Sequence, residues 1–200
     1  MSGSDSKRQA TIERKTRETE VSLELAIDGT GEYDISTGIP FFDHMLESFA
    51  KHGMFDLRLR AKGDLAVDLH HTVEDVGIVI GSAIRQALGS AAGIRRYGQA
   101  LLPMAEAKLE VAVDVSNRPY LVYRVELAND RVGDFDTSLA EDFLYALAQN
   151  AGLDLHVELR YGKSPHHVVE AIFKGVARAL RQALELDPRG GGIPSVKGAL

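Results

Sequence analysis

The sequence predicts an α+β fold built from two copies of a β-β-α-β-α unit. Three observations carry that prediction. The first is a repeat: His70-His71-Thr72-Val73-Glu74 returns ninety-six residues later as His166-His167-Val168-Val169-Glu170. Residues 70–88 and 166–184 share nine identities in nineteen positions, where average composition gives about one or two. The second is that each half mixes short alternating stretches, which suit half-buried strands, with longer stretches of helical character. The third is Gly, Pro and Asn punctuation at the joins.

The elements follow in order. Residues 1–7 are small and polar, which predicts a disordered terminus. Residues 11–15 and 20–27 alternate and predict strands, and Asp28-Gly29-Thr30-Gly31 reads as a turn. Pro40 suits the first turn of a helix, which runs to about residue 52 and stops at Gly53. Residues 55–60 predict a strand, Lys62-Gly63-Asp64 a turn, and residues 69–88 a long helix ended by Gly89 to Gly93. In the second half, 108–115 and 120–127 predict strands around the turn Asn117-Arg118-Pro119. Residues 136–150 predict a helix, 153–160 a strand and 165–186 the second long helix. The tail from Asp187 is rich in Gly and Pro and predicts an extended arm. The half-domains are therefore 8–92 and 93–187, with an arm over 188–200. A copy this short buries a limited core alone, so the halves are expected to pack helices against helices about a pseudo-twofold axis.

Composition excludes several functions. There are no cysteines, so disulfides, thiolate metal sites and cysteine nucleophiles are absent. A formal charge of −6 argues against nucleic acid as a partner, because phosphate backbones need a basic face. The N-terminus has no apolar core of a secretory signal. The most apolar stretch, 76–84, is far short of a membrane span. A cytoplasmic, membrane-free protein is the expectation.

The repeated motif points to metal. On a helix, residues three and four apart are neighbours, so Glu74 lies beside both His70 and His71. The two histidines themselves diverge by about 100°, which favours service to two different ions. Imidazole with carboxylate and no sulfur suits Mn, Fe, Ni or Zn. One such motif is a common accident; two in register within a duplication are not. The duplication aligns His44 with Asp142 and His156 with Arg58, so a third histidine at each site would come from a non-repeated position. Asp43 and Asp75 are candidates to orient a ligand from behind, and His52 reads as part of a helix end. Arg95, Arg96, Arg118, Lys174 and Lys197 are candidate phosphate holders. Lys174 follows Glu170 by four and shares its helix face, and Ser195 to Gly198 can offer backbone N–H groups. Neither a dinucleotide fingerprint nor a P-loop is present.

Six segments together resemble the imidazoleglycerol-phosphate dehydratase family of histidine biosynthesis over about residues 9–199. They are residues 36–46, 68–75, 118–121, 131–133, 166–171 and 193–198, containing Phe42-Asp43-His44-Met45, both His-His motifs and Pro194-Ser195-Val196-Lys197. The resemblance implies a ribosomal protein S5 domain 2-like fold, with a four-stranded sheet backing two helices in each half. It implies trimers that build a 24-subunit shell, and two Mn ions (Fe or another divalent metal as alternatives) per active site between subunits. The implied metal ligands are His44, His70, His71, Glu74, His156, His166, His167 and Glu170, undivided between the two ions. Glu18 matches the acid/base glutamate, with Glu74 and Glu170 also at the reaction centre. Arg96, Arg118, Lys174, Ser195 and Lys197 match phosphate-binding positions. The implied reaction dehydrates imidazole glycerol phosphate to imidazole acetol phosphate. Metals on the two ring nitrogens stabilise an imidazolate that expels the neighbouring hydroxyl as a diazafulvene forms. The chain departs from the family at Ser48, where an amide is common. Two other classes fit the ligand types, a di-metal phosphate-ester hydrolase and a non-enzymatic metal-stapled shell.

Overall fold

The computed structural model describes residues 8–127 and 130–200; the expected disorder of residues 1–7 lies outside them. The first half runs β1 (Gln9–Lys15), β2 (Thr19–Ala26), β3 (Tyr33–Ser36), α1 (Pro40–Gly53), β4 (Asp56–Gly63) and α2 (His70–Leu88). The second runs β5 (Tyr97–Met104), β6 (Ala107–Val115), β7 (Tyr120–Arg124), a two-residue hairpin of β8 (Arg131–Val132) and β9 (Phe135–Asp136), α3 (Leu139–Ala151), β10 (Leu153–Tyr161) and α4 (Pro165–Leu184).

The two four-stranded sheets have the same order, β1-β2-β4-β3 and β5-β6-β10-β7, with the last pair parallel in each. This matches the duplicated α+β expectation and adds one strand to each half. The strands expected at 108–115 and 120–127 are the second and third of their half, not the first and second. Both strands missing from the expectation, β3 and β5, carry weak alternation. Tyr33–Ser36 is four residues long at a sheet edge with one half-buried side chain, Ile35. In β5 the inward positions Gly98 and Ala100 are small, because a Cβ on Gly98 would collide with the backbone of α4 at Ala179. Gly98 and Ala100 are too small to mark the inward face, and outward Leu101 beside inward Leu102 blurs the rest of the alternation. Pro103 is tolerated there because β5 is an edge strand.

Inner positions of the central strands carry the core: Val21, Leu23 and Leu25 on β2, Leu109, Val111 and Val113 on β6, Leu155 and Val157 on β10. Helices α2 and α4 cover β1–β2 and β5–β6. The helices then pair across the halves, α2 with α3 and α1 with α4, as a pseudo-twofold requires. The α2–α3 crossing is close: a Cβ on Gly77 would stand 2.7 Å from the Phe143 carbonyl oxygen, and one on Gly81 2.6 Å from that of Leu147. Phe42, Phe143 and Phe173 join α1, α3 and α4, with the Phe143 and Phe173 rings stacked at 5.0 Å.

Two ends differ from the sequence expectation. Helix α1 passes through Gly53, and the left-handed cap residue is Met54, with φ 57°. A Cβ on Gly53 would run into the Phe55 ring, so Gly53 is needed for closeness and not for its φ. Helix α3 starts at Leu139, since residues 135–136 are taken by the hairpin. The tail folds back instead of extending freely. Gly93 N donates to Gly192 O, Asp187 N to Gly93 O, and Asn117 Nδ2 to Leu200 O.

Gly77→Ala should cost about 1–3 kcal/mol, because the overpacked crossing must open and this outweighs alanine's better helix propensity. The midpoint of denaturant unfolding measures it; a midpoint at or above that of the unaltered chain would show that α3 yields freely.

Candidate functional site

Both His-His motifs sit in the first turn of a helix. Asp68 accepts from His70 N at 2.9 Å, and Pro165 opens α4 behind its N-cap Ser164. The adjacent rings stand edge to face, with centroids 6.1 and 6.0 Å apart and 71° and 78° between planes. Each then meets its own neighbours.

In the second half, His166, Glu170 and His44 gather so that one ligand atom from each lies within 4.8 Å of the others. His166 Nε2 stands 3.3 Å from Glu170, and the His166 ring packs edge-on against Phe41 at 5.2 Å. Glu170 is buried and Lys174 Nζ lies 2.6 Å from it. Burial alone would raise the Glu170 carboxyl, but the Lys174 hydrogen bond and charge, with His44 and His166 near, hold it below the usual carboxylate range. The donor chemistry, two imidazoles and one anionic oxygen, fits a borderline divalent cation.

The first half builds the related cluster. His70 Nε2 faces Glu74 at 3.9 Å, and its Nδ1 meets Asp142 of α3 at 3.1 Å. Asp142 thus stands beside α2 as His44 stands beside α4, in agreement with the sequence alignment of the two. The non-repeated His44 is the extra donor of the second cluster.

The carboxylates behind the histidines are not those expected from sequence. Asp43 accepts from Thr37 N and Oγ1 at 2.8 and 2.6 Å and so ties the loop before α1. Asp75 is buried under Arg14 and Thr19. The rings are met instead by Asp142, by Asp64, both of whose oxygens lie 3.1 Å from His71 Nδ1, and by Glu106, 2.6 Å from His167 Nδ1. Asp142 and Glu106 are far from their histidines in sequence, and Asp64 precedes His71 by seven residues across a loop, so no helical spacing marks them. Asp64 holds the His71 ring above its usual pKa, aided by the charge of Glu18. Amides of Ser164 and Lys163, with His167, hold the Glu106 carboxyl down to about 2.

Glu18 lies in the exposed β1–β2 turn, with its N–H donating to Thr16 Oγ1 at 3.1 Å. Its carboxylate has no hydrogen-bond partner among the described residues. Asp75 anchors this turn through Thr19.

The remaining site residues fall on another side of the molecule. His156 is exposed on the outer face of β10, between Ala112 and Val122, turned away from the helices. At one end of the same face a single cavity gathers Arg96, Arg118, Ser195 and Lys197. Arg96 is already engaged there. Its guanidinium grips Asp114 at 2.7 and 3.1 Å and donates to Pro194 O at 2.9 Å, so it also tethers the arm. Arg118 and Lys197 side chains have no protein partner among the described residues. Lys174 does not join this cavity; it belongs to the Glu170 cluster. Ser48 is buried on α1, and His52 lies in the last turn of that helix.

A family pattern described as imidazoleglycerol-phosphate dehydratase matches residues 37–180. A relative of that description from Geobacter metallireducens is 54% identical over 193 residues, spanning 96% of this chain and 99% of its own. The chain belongs to the imidazoleglycerol-phosphate dehydratase family. As a member of it, the chain is a hydro-lyase of histidine biosynthesis that dehydrates imidazoleglycerol phosphate. The Azorhizobium caulinodans dehydratase is 56% identical, covering 96% of this chain and 98% of its own. The crystal structure of the Staphylococcus aureus dehydratase superposes with a TM-score of 0.82 at 37% identity, covering 90% of this chain and 99% of that one. The dehydratase from Pyrococcus furiosus gives 0.82 at 35%, covering 94% and 100%. Among the described residues, no helix is long and apolar enough to cross a membrane.

His166→Ala should weaken binding of a titrated divalent ion by at least about tenfold, since losing a direct donor costs no less than losing a residue behind one. Calorimetric titration of the metal-free chain measures this, and unaltered affinity would remove the cluster from the metal reading.

Proposed function

We propose that the dehydration runs on two divalent ions per active site, Mn²⁺ foremost, held between subunits of a homo-oligomer. The observation that carries this reading is the split of the site within one chain. The helical side offers His44, His70, His71, Glu74, His166, His167 and Glu170, while His156 and most of the phosphate cavity lie on the outer face of the second sheet. The two sides of a sheet cannot meet in one chain, but they can between two copies.

The outer faces of the two sheets support this. In the first sheet the row Glu24, Arg58 and Asp34 is charged, with Arg58 3.5 Å from Glu24 and Arg60 meeting Asp34. The equivalent row of the second sheet is Ala112, His156 and Val122, flanked by exposed Tyr97, Tyr120 and Leu101. The second sheet has an ion-pair group too, Arg160 with Glu110 and Glu158, so the aromatic and aliphatic patch that suits a covered face is the part around His156. A trimer built on such contacts, assembled further to a 24-mer in the cytoplasm, is the quaternary form we assign.

When bound, the ions supply Lewis-acid stabilisation of the substrate's imidazole ring in its deprotonated form. The chain does the rest. Imidazole and carboxylate donors fix where that ring sits. Glu18, with a free carboxylate beside His71, is placed to move the proton at the neighbouring carbon. Arg118, Ser195 and Lys197 hold the phosphate by charge-assisted hydrogen bonds, and Arg96 shapes their cavity while tethering the arm. Lys174 reaches the phosphate from a second copy, through a side chain now held by Glu170.

With Mn²⁺ and imidazole glycerol phosphate, Glu18→Gln should retain metal and assembly but lose turnover by about 10²–10⁴-fold, the usual worth of a positioned proton-transfer group. Near-normal formation of the keto product would exclude Glu18, and release of inorganic phosphate by the unaltered chain would favour hydrolysis over dehydration. Stripping metal with a chelator should shift sedimentation from the shell toward trimers. A shell that survives complete metal removal would refute metal ligands shared between subunits.

A further inference from the structure

Glu106 has no role in the site as described so far, yet it makes the shortest of the carboxylate contacts to the four paired histidines, apart from those within the motifs. Its position becomes informative when the two halves are superposed through their sheet registers. Leu23 pairs with Leu59 in the first sheet, and Val111 pairs with Val157 in the second. Strand β2 therefore maps onto β6 with a shift of eighty-eight, and β4 onto β10 with a shift of ninety-eight. By the first shift Glu18 maps onto Glu106. Both close the hairpin turn before the second strand of their half, and both lie beside the second histidine of their motif.

The two acids are used differently. In the second half, one Glu106 oxygen accepts from Ser164 N at 2.7 Å and Lys163 N at 3.2 Å, and the other meets His167 Nδ1 at 2.6 Å. In the first half the ring is held by Asp64 instead, and Glu18 is left free. The second shift holds as far as Leu159; a bulge between Leu159 and Tyr161 then raises it to ninety-nine, so that Asp64 maps onto Lys163. Position 163 carries no acid, and its backbone N–H donates to Glu106 instead. In the second half the carboxylate at the ring therefore comes from the hairpin turn.

We propose that Glu106 is a positioning residue: it holds the proton of His167 on Nδ1, so that Nε2 presents its lone pair as a metal donor. Asp64 performs the same task for His71 and thereby leaves Glu18 free for proton transfer. This rests on the reading of His167 as a metal ligand. A carboxylate only accepts, so the contact selects one imidazole tautomer. Carboxylates behind ligating histidines typically contribute about 10–100-fold in metal affinity.

Glu106→Gln separates this role from a purely structural one. Its amide oxygen is drawn to the two N–H groups of Ser164 and Lys163, which leaves its NH₂ facing His167 Nδ1. That arrangement keeps the loop but favours the opposite tautomer, with the proton on Nε2. The expected result is Mn²⁺ affinity lower by about 10–100-fold, read by electron paramagnetic resonance titration, with the melting temperature of the metal-free form unchanged. Unaltered Mn²⁺ affinity overturns the proposal. So does a loss of affinity that merely follows an equal loss of metal-free stability. His167→Ala is measured alongside. If it also binds Mn²⁺ as tightly as the unaltered chain, the ligand reading of His167 fails. If it binds weakly while Glu106→Gln binds normally, only the role of Glu106 fails.

Discussion

The close crossing of α2 over α3 is the constraint on which the site depends. Side chains at Gly77 and Gly81 would drive the helices apart, and their absence lets the two backbones touch. That contact sets where Asp142 stands relative to His70. By the pseudo-twofold, the matching α1–α4 contact sets where His44 stands relative to His166 and Glu170. The donors come from different helices, so their spacing is as rigid as the helix packing between them. The phenylalanines on α1, α3 and α4 fill the remaining space, and they leave little slack for the clusters at the helix N-termini to shift.

The sheets contribute in a second way, by facing two directions. Their inner rows are apolar and hold the helices. Their outer rows have diverged around one position: the first sheet carries ion pairs at Arg58, whereas the second carries His156 between Ala112 and Val122 and keeps its ion pairs at Arg160. The arm crosses the edge of that second face and is fastened there by Arg96, whose guanidinium is gripped by Asp114. Arg96 is therefore a structural tether in the free chain and a wall of the cavity that Arg118 and Lys197 complete.

Much of this was legible in the sequence. The repeat, the long helices and the central strands follow from periodicity and from the identity of residues 70–88 with 166–184. The divergence of adjacent histidines follows from helix geometry, and within each pair the two rings meet different carboxylates. What could not be read were features that depend on what lies across a gap. Strand β5 lost its alternation because α4 passes too close for large inward side chains. The carboxylates behind the rings, Asp64, Glu106 and Asp142, are brought up by turns and by a facing helix, whereas Asp43 is occupied with a loop and Asp75 with Arg14 and Thr19. Chemistry was marked by residue type and spacing, but orientation was decided by tertiary contact.

The pairing of His44 with Asp142 across the pseudo-twofold has an evolutionary consequence. Two separate half-length chains of one sequence would have to carry the same residue at both places, since a symmetric dimer repeats every choice. Once the halves are joined in one polypeptide, a substitution at one end no longer copies itself to the other. One end is then free to carry a histidine where the other carries an aspartate, and one hairpin acid can meet a ring while its twin stays unattached. Covalent fusion thus turned a pair of identical sites into a single asymmetric surface, on which two ends of the same ancestral unit hold different tasks.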